Sequence, residues 1–262
     1  MPDTQTPRID LRLDVRKEGT IATVTVDNRA KLNTLGSALM TEFIATVDRL
    51  APMEALRGLV LTGAGEKAFI GGADILEMAR LDAAGARRFI SLVHETCRSL
   101  RALPVPVIAR IDGYALGAGL EIAAAADIRI ASSRSSFGMP EVRVGIPSVV
   151  EAALLPQLIG WGRTRELLLF GETIFAETAL GWGLVERVVR ASDLEVAVES
   201  AIDALLKAGP RAIRLQKALI SAWEELPVSQ AIEAGIKVFA GAWDSDEPRR
   251  LMGEFASRKR WG

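Results

Sequence analysis

The sequence predicts an α/β protein that ends in a run of helices. Two observations carry this. Short segments rich in β-branched residues alternate with helix-spaced segments from the N-terminus to about Val189, the pattern of an α/β core. From about Leu194 onward the pattern is almost wholly helical, with Pro210, Pro227 and Pro248 where prolines punctuate helix starts. The change near residue 195 carries no linker rich in Pro, Gly or Ser. The expected division is therefore a core over residues 1–195 and a helical region over residues 196–262.

The elements follow in order. Leu11, Leu13 and Val15 alternate with polar residues, and Ile21 to Val26 is rich in β-branched residues, which together predict a hairpin. Leu39, Met40, Phe43, Ile44, Val47 and Leu50 repeat at helical spacing. Gly58 to Gly63 is a short apolar strand with glycine ends. A helix from about Ala83 to Leu100 carries Phe89, Val93 and Leu100 on one side. Val105 to Ile111 is a buried strand that runs into a glycine turn at Gly113. Leu116 to Ala126 is small and helix-compatible, and Asp127 to Ala131 returns to strand.

Composition excludes several classes. Of 262 residues, 49% are hydrophobic, enough for a sizeable core. Lys and Arg number 32 against 33 Asp and Glu, which leaves no electrostatic footprint for nucleic acid or an anionic membrane. Cys97 is the one cysteine and His94 the one histidine, so neither an intrachain disulfide nor a standard zinc site is expected. The most apolar stretch, Val105 to Ala131, is broken by Arg110, Asp112, Glu121, Asp127 and Arg129 and is not a membrane span. The N-terminal segment lacks an apolar core of the secretory kind. A cytoplasmic protein is expected.

Three segments carry chemistry. Lys67 to Ile75, KAFIGGADI, follows a strand, and its adjacent glycines allow close backbone approach. Its free N–H groups can polarise a carbonyl, although paired glycines are also ordinary turn punctuation. Asp112 to Glu121, DGYALGAGLE, is a glycine-rich turn that opens a helix, whose first N–H groups are unpaired. Ile122 occupies the place where a dinucleotide fingerprint needs glycine, and no Gly-Lys-Ser/Thr follows for a P-loop. Glu121 sits among Leu120, Ile122 and alanines, where a carboxylate is either functional or a helix-start residue. Ser136 to Pro147 places Glu141 in a loop, with Arg143 as its expected ion-pair partner. Two carboxylates from separate loops suit addition of water to an activated double bond: one takes a proton from water and the other supplies one to carbon.

Taken together, these segments resemble the crotonase family, the enoyl-CoA hydratase and isomerase superfamily. The resemblance spans nearly the whole chain. Val24 to Asn28 with Lys31 and Asn33 resembles the family's N-terminal signature, Lys67 to Met78 its first oxyanion loop, Asp112 to Ala124 its second, and Gly138 to Pro147 the loop of its second glutamate. Arg163 to Val188 resembles the stretch that ends in a Gly-Leu-Val strand. The resemblance implies a spiral of ββα repeats followed by a helical trimerisation region. It implies an oxyanion hole from the Ala73 and Ala118 N–H groups. It assigns Glu121 to the water and Glu141 to the α-carbon. Lys31, Ala68, Phe69, Ile70, Asp74, Ile75 and Gly117 would contact substrate or coenzyme A, and Lys67 is a further phosphate candidate. It implies an acyl-CoA substrate, no cofactor beyond that coenzyme A, no metal, and a homo-oligomer that is a trimer or dimer of trimers. One departure stands out. Where the family's hydratases commonly have a glycine-rich turn, this chain reads Ser148-Val149-Val150-Glu151-Ala152.

Other residues have blander expectations. Glu151 is expected to be a helix-start carboxylate. His94 and Cys97, one helical turn apart, are expected to serve packing rather than a metal or nucleophile pair. Trp161 and Trp182 are expected to anchor the core. The basic run Arg258-Lys259-Arg260 is either a solvated helix end or a phosphate contact. The leading function is hydration of a 2-enoyl-CoA. The alternatives are Δ3,Δ2-enoyl-CoA isomerisation or another reaction of the same family. RNA binding is disfavoured because Leu32 to Glu66 contains no lysine.

Overall fold

A computed structural model describes residues 6–259. In chain order, the hairpin β1 (Arg8–Arg16) and β2 (Gly19–Asp27) leads to α1 (Ser37–Asp48), β3 (Leu56–Gly63) and β4 (Ala68–Ile70). Next come α2 (Ile75–Met78), α3 (Ala83–Ala102), β5 (Val107–Ile111), β6 (Tyr114–Leu116), α4 (Ala118–Ala124), β7 (Ile128–Ser132) and β8 (Ser136–Gly138). Two 3₁₀ turns, Pro140–Val144 and Val150–Leu154, lead to α5 (Leu155–Phe170), β9 (Thr173–Phe175), α6 (Ala176–Trp182) and β10 (Arg187–Val189). The chain closes with α7 (Leu194–Lys207), α8 (Pro210–Glu225), α9 (Val228–Ala242) and α10 (Glu247–Lys259).

The strands form two sheets. One has six strands in the order β1-β2-β3-β5-β7-β10, and the other has four in the order β4-β6-β8-β9. The chain visits them in turn: a strand in the large sheet, a short strand in the small sheet, then a helix. That repeat is the spiral of ββα units. Beyond the antiparallel hairpin the large sheet is parallel, as crossover connections require. Its central strand β3 is apolar along both faces, because helices cover the sheet on each side. The main core lies between the sheets, α1, α3 and α4, around Phe43, Phe69, Phe137 and Leu100. Each such fully buried side chain contributes about 1.5–3 kcal/mol.

A second core closes the other face of the large sheet. There α7 packs Leu194, Val198, Ala201 and Ile202 onto Ile21, Val60, Ile108 and Ile130. The first of the last four helices therefore belongs structurally with the sheet. Two buried cations tie it and its successor to the core. The Arg57 guanidinium donates to the carbonyls of Glu18, Leu205 and Ala208. Lys217 of α8 donates to the carbonyls of Leu100 and Val105 and to Asp127, at 3.2, 2.9 and 2.7 Å. By contrast α9 buries none of its residues.

Some expectations fail on packing. Trp161 is exposed, with Arg165 over its ring, because it lies on the outward side of α5. Trp182 does pack against the core. Arg260 and the side chains of Arg258 and Lys259 lie outside the described residues. Among the described residues, no helix is long and apolar enough to cross a membrane.

Candidate active site

The first loop is built by Asn33, which sits in left-handed conformation at φ 57°. Its amide nitrogen donates to the carbonyls of Ala68 and Ala64 at 2.7 and 3.0 Å, and its amide oxygen accepts the Asn28 N–H at 3.0 Å. This fixes the chain that leads into Gly71-Gly72-Ala73. Leu35 then brackets Ala73: Leu35 N–H donates to Gly72 O and Asp74 N–H donates to Leu35 O, each at 2.9 Å. In such a parallel bridge the Ala73 N–H faces away from Leu35. No protein acceptor takes it among the described residues.

The second loop is built at the turn from β5 to β6. Asp112 is buried and held by Arg134 through a bidentate pair at 2.7 and 2.6 Å, and by the Ser132 hydroxyl at 2.7 Å. The chain enters α4 through Gly117, at φ 53° and ψ −123°, a conformation that needs glycine. The side of Gly117 where a Cβ would stand is occupied by the Glu141 carboxylate. Gly119 packs directly on the Ile70 carbonyl, which brings α4 against β4. The Ala118 N–H, at the first helical position, has no intrahelical partner by construction, and none is found among the described residues.

Glu121 follows one turn into α4 and is 4% exposed. Its Oε1 accepts the Ala152 N–H at 3.0 Å. Burial pushes its carboxyl up to about 8; the Ala152 N–H opposes this, and the Glu141 and Glu151 charges add to it. Glu141 reaches the same space from the 3₁₀ turn after Pro140, and its Oε2 accepts the Ser148 hydroxyl at 2.8 Å. Arg143 is not its partner. The turn points Arg143 outward, where its Nε–H donates to Phe170 O at 3.1 Å and a guanidinium nitrogen lies 3.7 Å from Glu172.

Ala73, Ala118, Glu121 and Glu141 line one cavity of about 500 Å³. Its remaining wall is mainly apolar, from Met78, Leu81, Phe89, Ile90, Val93, Ile146 and Val149. The side chains of Ala68, Phe69 and Ile70 are buried in the core, so these residues can meet a ligand only through their backbone. Lys31 is exposed and pairs with Asp74 at 3.1 Å. Burial alone would push the Asp74 carboxyl up, but the Lys31 ammonium and the Glu77 and Leu76 N–H groups outweigh it and hold it below its ordinary value. Ile75 is largely exposed beside them.

The departure segment also differs from expectation. Glu151 does open a 3₁₀ turn, but it is buried and its Oε1 lies 2.8 Å from His94 Nδ1 of α3. Cys97 is fully buried behind His94. Burial pushes its thiol well up, and the Glu151 and Glu121 carboxylates push it further. Sequence reasoning missed Ser148 and the His94–Glu151 pair. Neither has a local signal, since the latter joins positions 57 apart.

An apolar cavity lined by two carboxyls, and by two residues whose backbone N–H groups have no protein acceptor among the described residues, is suited to acid–base work on a bound carbonyl compound. Comparisons with known proteins agree. The enoyl-CoA hydratase/isomerase family model matches residues 16–262, and the chain belongs to that family. The short-chain-enoyl-CoA hydratase of Clostridium acetobutylicum is 34% identical over 94% of this chain and 95% of its own length. The crotonyl-CoA hydratase of Syntrophomonas wolfei is 32% identical over the same shares. The crystal structure of enoyl-CoA hydratase from Bacillus anthracis superposes with a TM-score of 0.88, at 32% identity, covering 95% of this chain and 96% of that one. The crotonase resemblance therefore holds, as does the α/β fold with a helical C-terminal region that it implied.

Proposed function

We propose that the protein is an enoyl-CoA hydratase that adds water across the 2,3 double bond of a 2-enoyl-CoA, giving a 3-hydroxyacyl-CoA. The observation that carries this reading is the convergence of Glu121 and Glu141 on one cavity beside the Ala73 and Ala118 N–H groups, which have no protein acceptor among the described residues. Those N–H groups receive the thioester oxygen as negative charge develops on it, each contributing about 3–4 kcal/mol to the transition state. Glu121 takes a proton from water, whose oxygen bonds to C3. Glu141 gives a proton to C2. To close the cycle Glu121 releases the proton it took and Glu141 regains one, a transfer through solvent with no net proton gained or lost, the two carboxyls acting as a coupled pair. Gly117 contributes by leaving room for Glu141. No cofactor or metal enters this scheme.

Coenzyme A would lie along the backbone of Ala68 to Ile70, with Lys31, Asp74 and Ile75 at its exposed flank and Lys67 within the same loop. The C-terminal helices supply the oligomer contact. On α9, Val228, Ile232, Ile236 and Phe239 form an exposed apolar stripe at helical spacing, of the kind an oligomer buries. A homo-oligomer, a trimer or dimer of trimers, in the cytoplasm completes the reading. Sedimentation mass tests the assembly.

The activity is tested by following loss of the conjugated enoyl thioester absorbance of crotonyl-CoA. Hydration removes it. Turnover of a 3-enoyl-CoA with a gain of that absorbance, and none of crotonyl-CoA, would mark an isomerase instead.

A further inference from the structure

We propose that Glu151, clamped by His94, is a positioning residue for Glu121 and acts through the backbone of the turn at Val150–Ala152. The inference rests on the reading of Glu121 as a reacting carboxyl.

The geometry starts at α3. Its apolar face, Phe89, Val93, Cys97 and Leu100, is buried, which makes the helix a fixed post. His94 stands at the edge of that face with its side chain 47% exposed, and it reaches Glu151 at 2.8 Å. Glu151 is 7% exposed, and its Oε2 has no hydrogen-bond partner among the described residues. A buried carboxylate is costly unless partnered. The contact to His94, on the exposed side, and the neighbouring Cys97 thiol, on the buried side, are therefore what hold this side chain inward.

The backbone on either side of Glu151 shows what the clamp achieves. Val150 has φ 40°, a left-handed conformation that is a real outlier for a β-branched residue. Such strain persists only where surrounding contacts impose it. Ala152 follows, and its N–H is the donor to Glu121 Oε1. The turn thus passes from a strained residue, through a clamped one, to the residue that holds the carboxyl. Where a glycine-rich turn could take this shape unaided, this chain holds it with a side-chain pair. The titratable and charged groups around Glu121 are Glu141 from the 140–144 turn, Glu151 from the 150–154 turn, Cys97 and His94 from α3, and Arg87 of α3 on the shared cavity wall.

The test compares crotonyl-CoA hydration by the full-length protein with His94→Ala, His94→Gln, Glu151→Gln and Glu121→Gln. Loss of the clamp in His94→Ala should lower kcat about tenfold or more, since small misplacements of a reacting group are costly, while KM stays within about twofold. The limb of the pH profile set by Glu121 should move to higher pH, because the Ala152 N–H favours the carboxylate. His94→Gln, whose amide can still donate to Glu151, should recover to within about threefold of the parent. Glu151→Gln keeps an acceptor for His94 but removes a charge beside Glu121. It should hold kcat within about threefold and move the limb to lower pH.

A fall in kcat that His94→Gln does not rescue, or a limb that stays in place in His94→Ala, overturns the proposal. A full-rate His94→Ala beside an inactive Glu121→Gln sinks the clamp alone. A full-rate Glu121→Gln sinks the reading of Glu121 on which the clamp depends.

Discussion

The two walls that deliver the carboxyls are built on opposite plans. Glu121 comes from a helix, is almost fully enclosed, and is held by a backbone N–H. Glu141 comes from a 3₁₀ turn that faces solvent beyond it, and is held by a side-chain hydroxyl. Burial raises the Glu121 carboxyl to about 8, so it is mainly protonated at neutral pH in the free enzyme. The pair therefore differs in rigidity and in access to solvent. One carboxyl is held by a backbone donor, and the other by a side-chain contact that a single substitution removes. A base must first ionise, so with Glu121 in that role the raised value holds the site back at neutral pH.

The largest effect expected from breaking this pair is on the chemistry itself. Glu121→Gln and Glu141→Gln should each lower kcat for crotonyl-CoA hydration by about 10²–10⁴-fold, the usual worth of a positioned acid or base. The double variant should fall by less than the product of the two, because groups that act as a unit are not additive. Steady-state kinetics decide it. A single variant within tenfold of the parent would mean that the two walls do not share the reaction.

Gly117→Ala comes next, because it strikes the point where the walls meet. Its Cβ would stand on the Glu141 carboxylate, in a backbone conformation that only glycine takes comfortably. We expect kcat to fall about 10²-fold through displacement of Glu141. The strain should cost about 1–3 kcal/mol of stability, read by denaturant unfolding. Retained activity would show that Glu141 does not need its place beside α4.

The pH dependence sharpens the comparison further. With Glu121 as the base toward water, kcat/KM should rise with pH through about 8 as its carboxyl ionises. A fall with pH through the same range would exchange the roles of the two glutamates. Stability should move the other way. A carboxyl whose folded value lies above its unfolded one adds stability that is fully present below the unfolded value and is lost as pH rises through the folded value. Glu121→Gln should therefore stabilise the fold more at pH about 8 than at pH about 5, by an amount on the order of a few kcal/mol at most. Thermal unfolding at the two pH values measures it.

How much of this was legible in the sequence divides along the same line. Long periodic segments announced themselves: α1, α3, β2 and β3 lie where apolar spacing placed them. Both glutamates and both alanines were named from motifs, and all four line the one cavity. The small sheet was not visible, because β4, β6 and β8 are three-residue strands whose ladder forms only when the spiral closes. A short strand of that kind has no period to read. Arg143 was the nearest cation to Glu141 in sequence, yet the 3₁₀ turn sends it the other way. Lys217 gave no hint of its burial, since its three acceptors lie 90 or more positions away.

The smallest expected effect belongs to the hydroxyl that holds Glu141. Ser148→Ala removes one hydrogen bond and leaves a cavity-facing methyl. Glu141 is only partly enclosed, so water can replace the lost donor, and the carboxylate is not stranded as a buried one would be. Such a bond is worth about 0.5–1.5 kcal/mol, which corresponds to a kcat about two- to tenfold lower. KM should change little, because the hydroxyl is assigned to the carboxylate rather than to the substrate. The corresponding bond on the other wall has a backbone donor, the Ala152 N–H, so no substitution at position 152 short of proline deletes it directly. A Ser148→Ala loss as large as that of Glu141→Gln would place the hydroxyl in contact with the reacting atoms. It would also erase the contrast between a carboxyl held by a backbone donor and one held by a side chain.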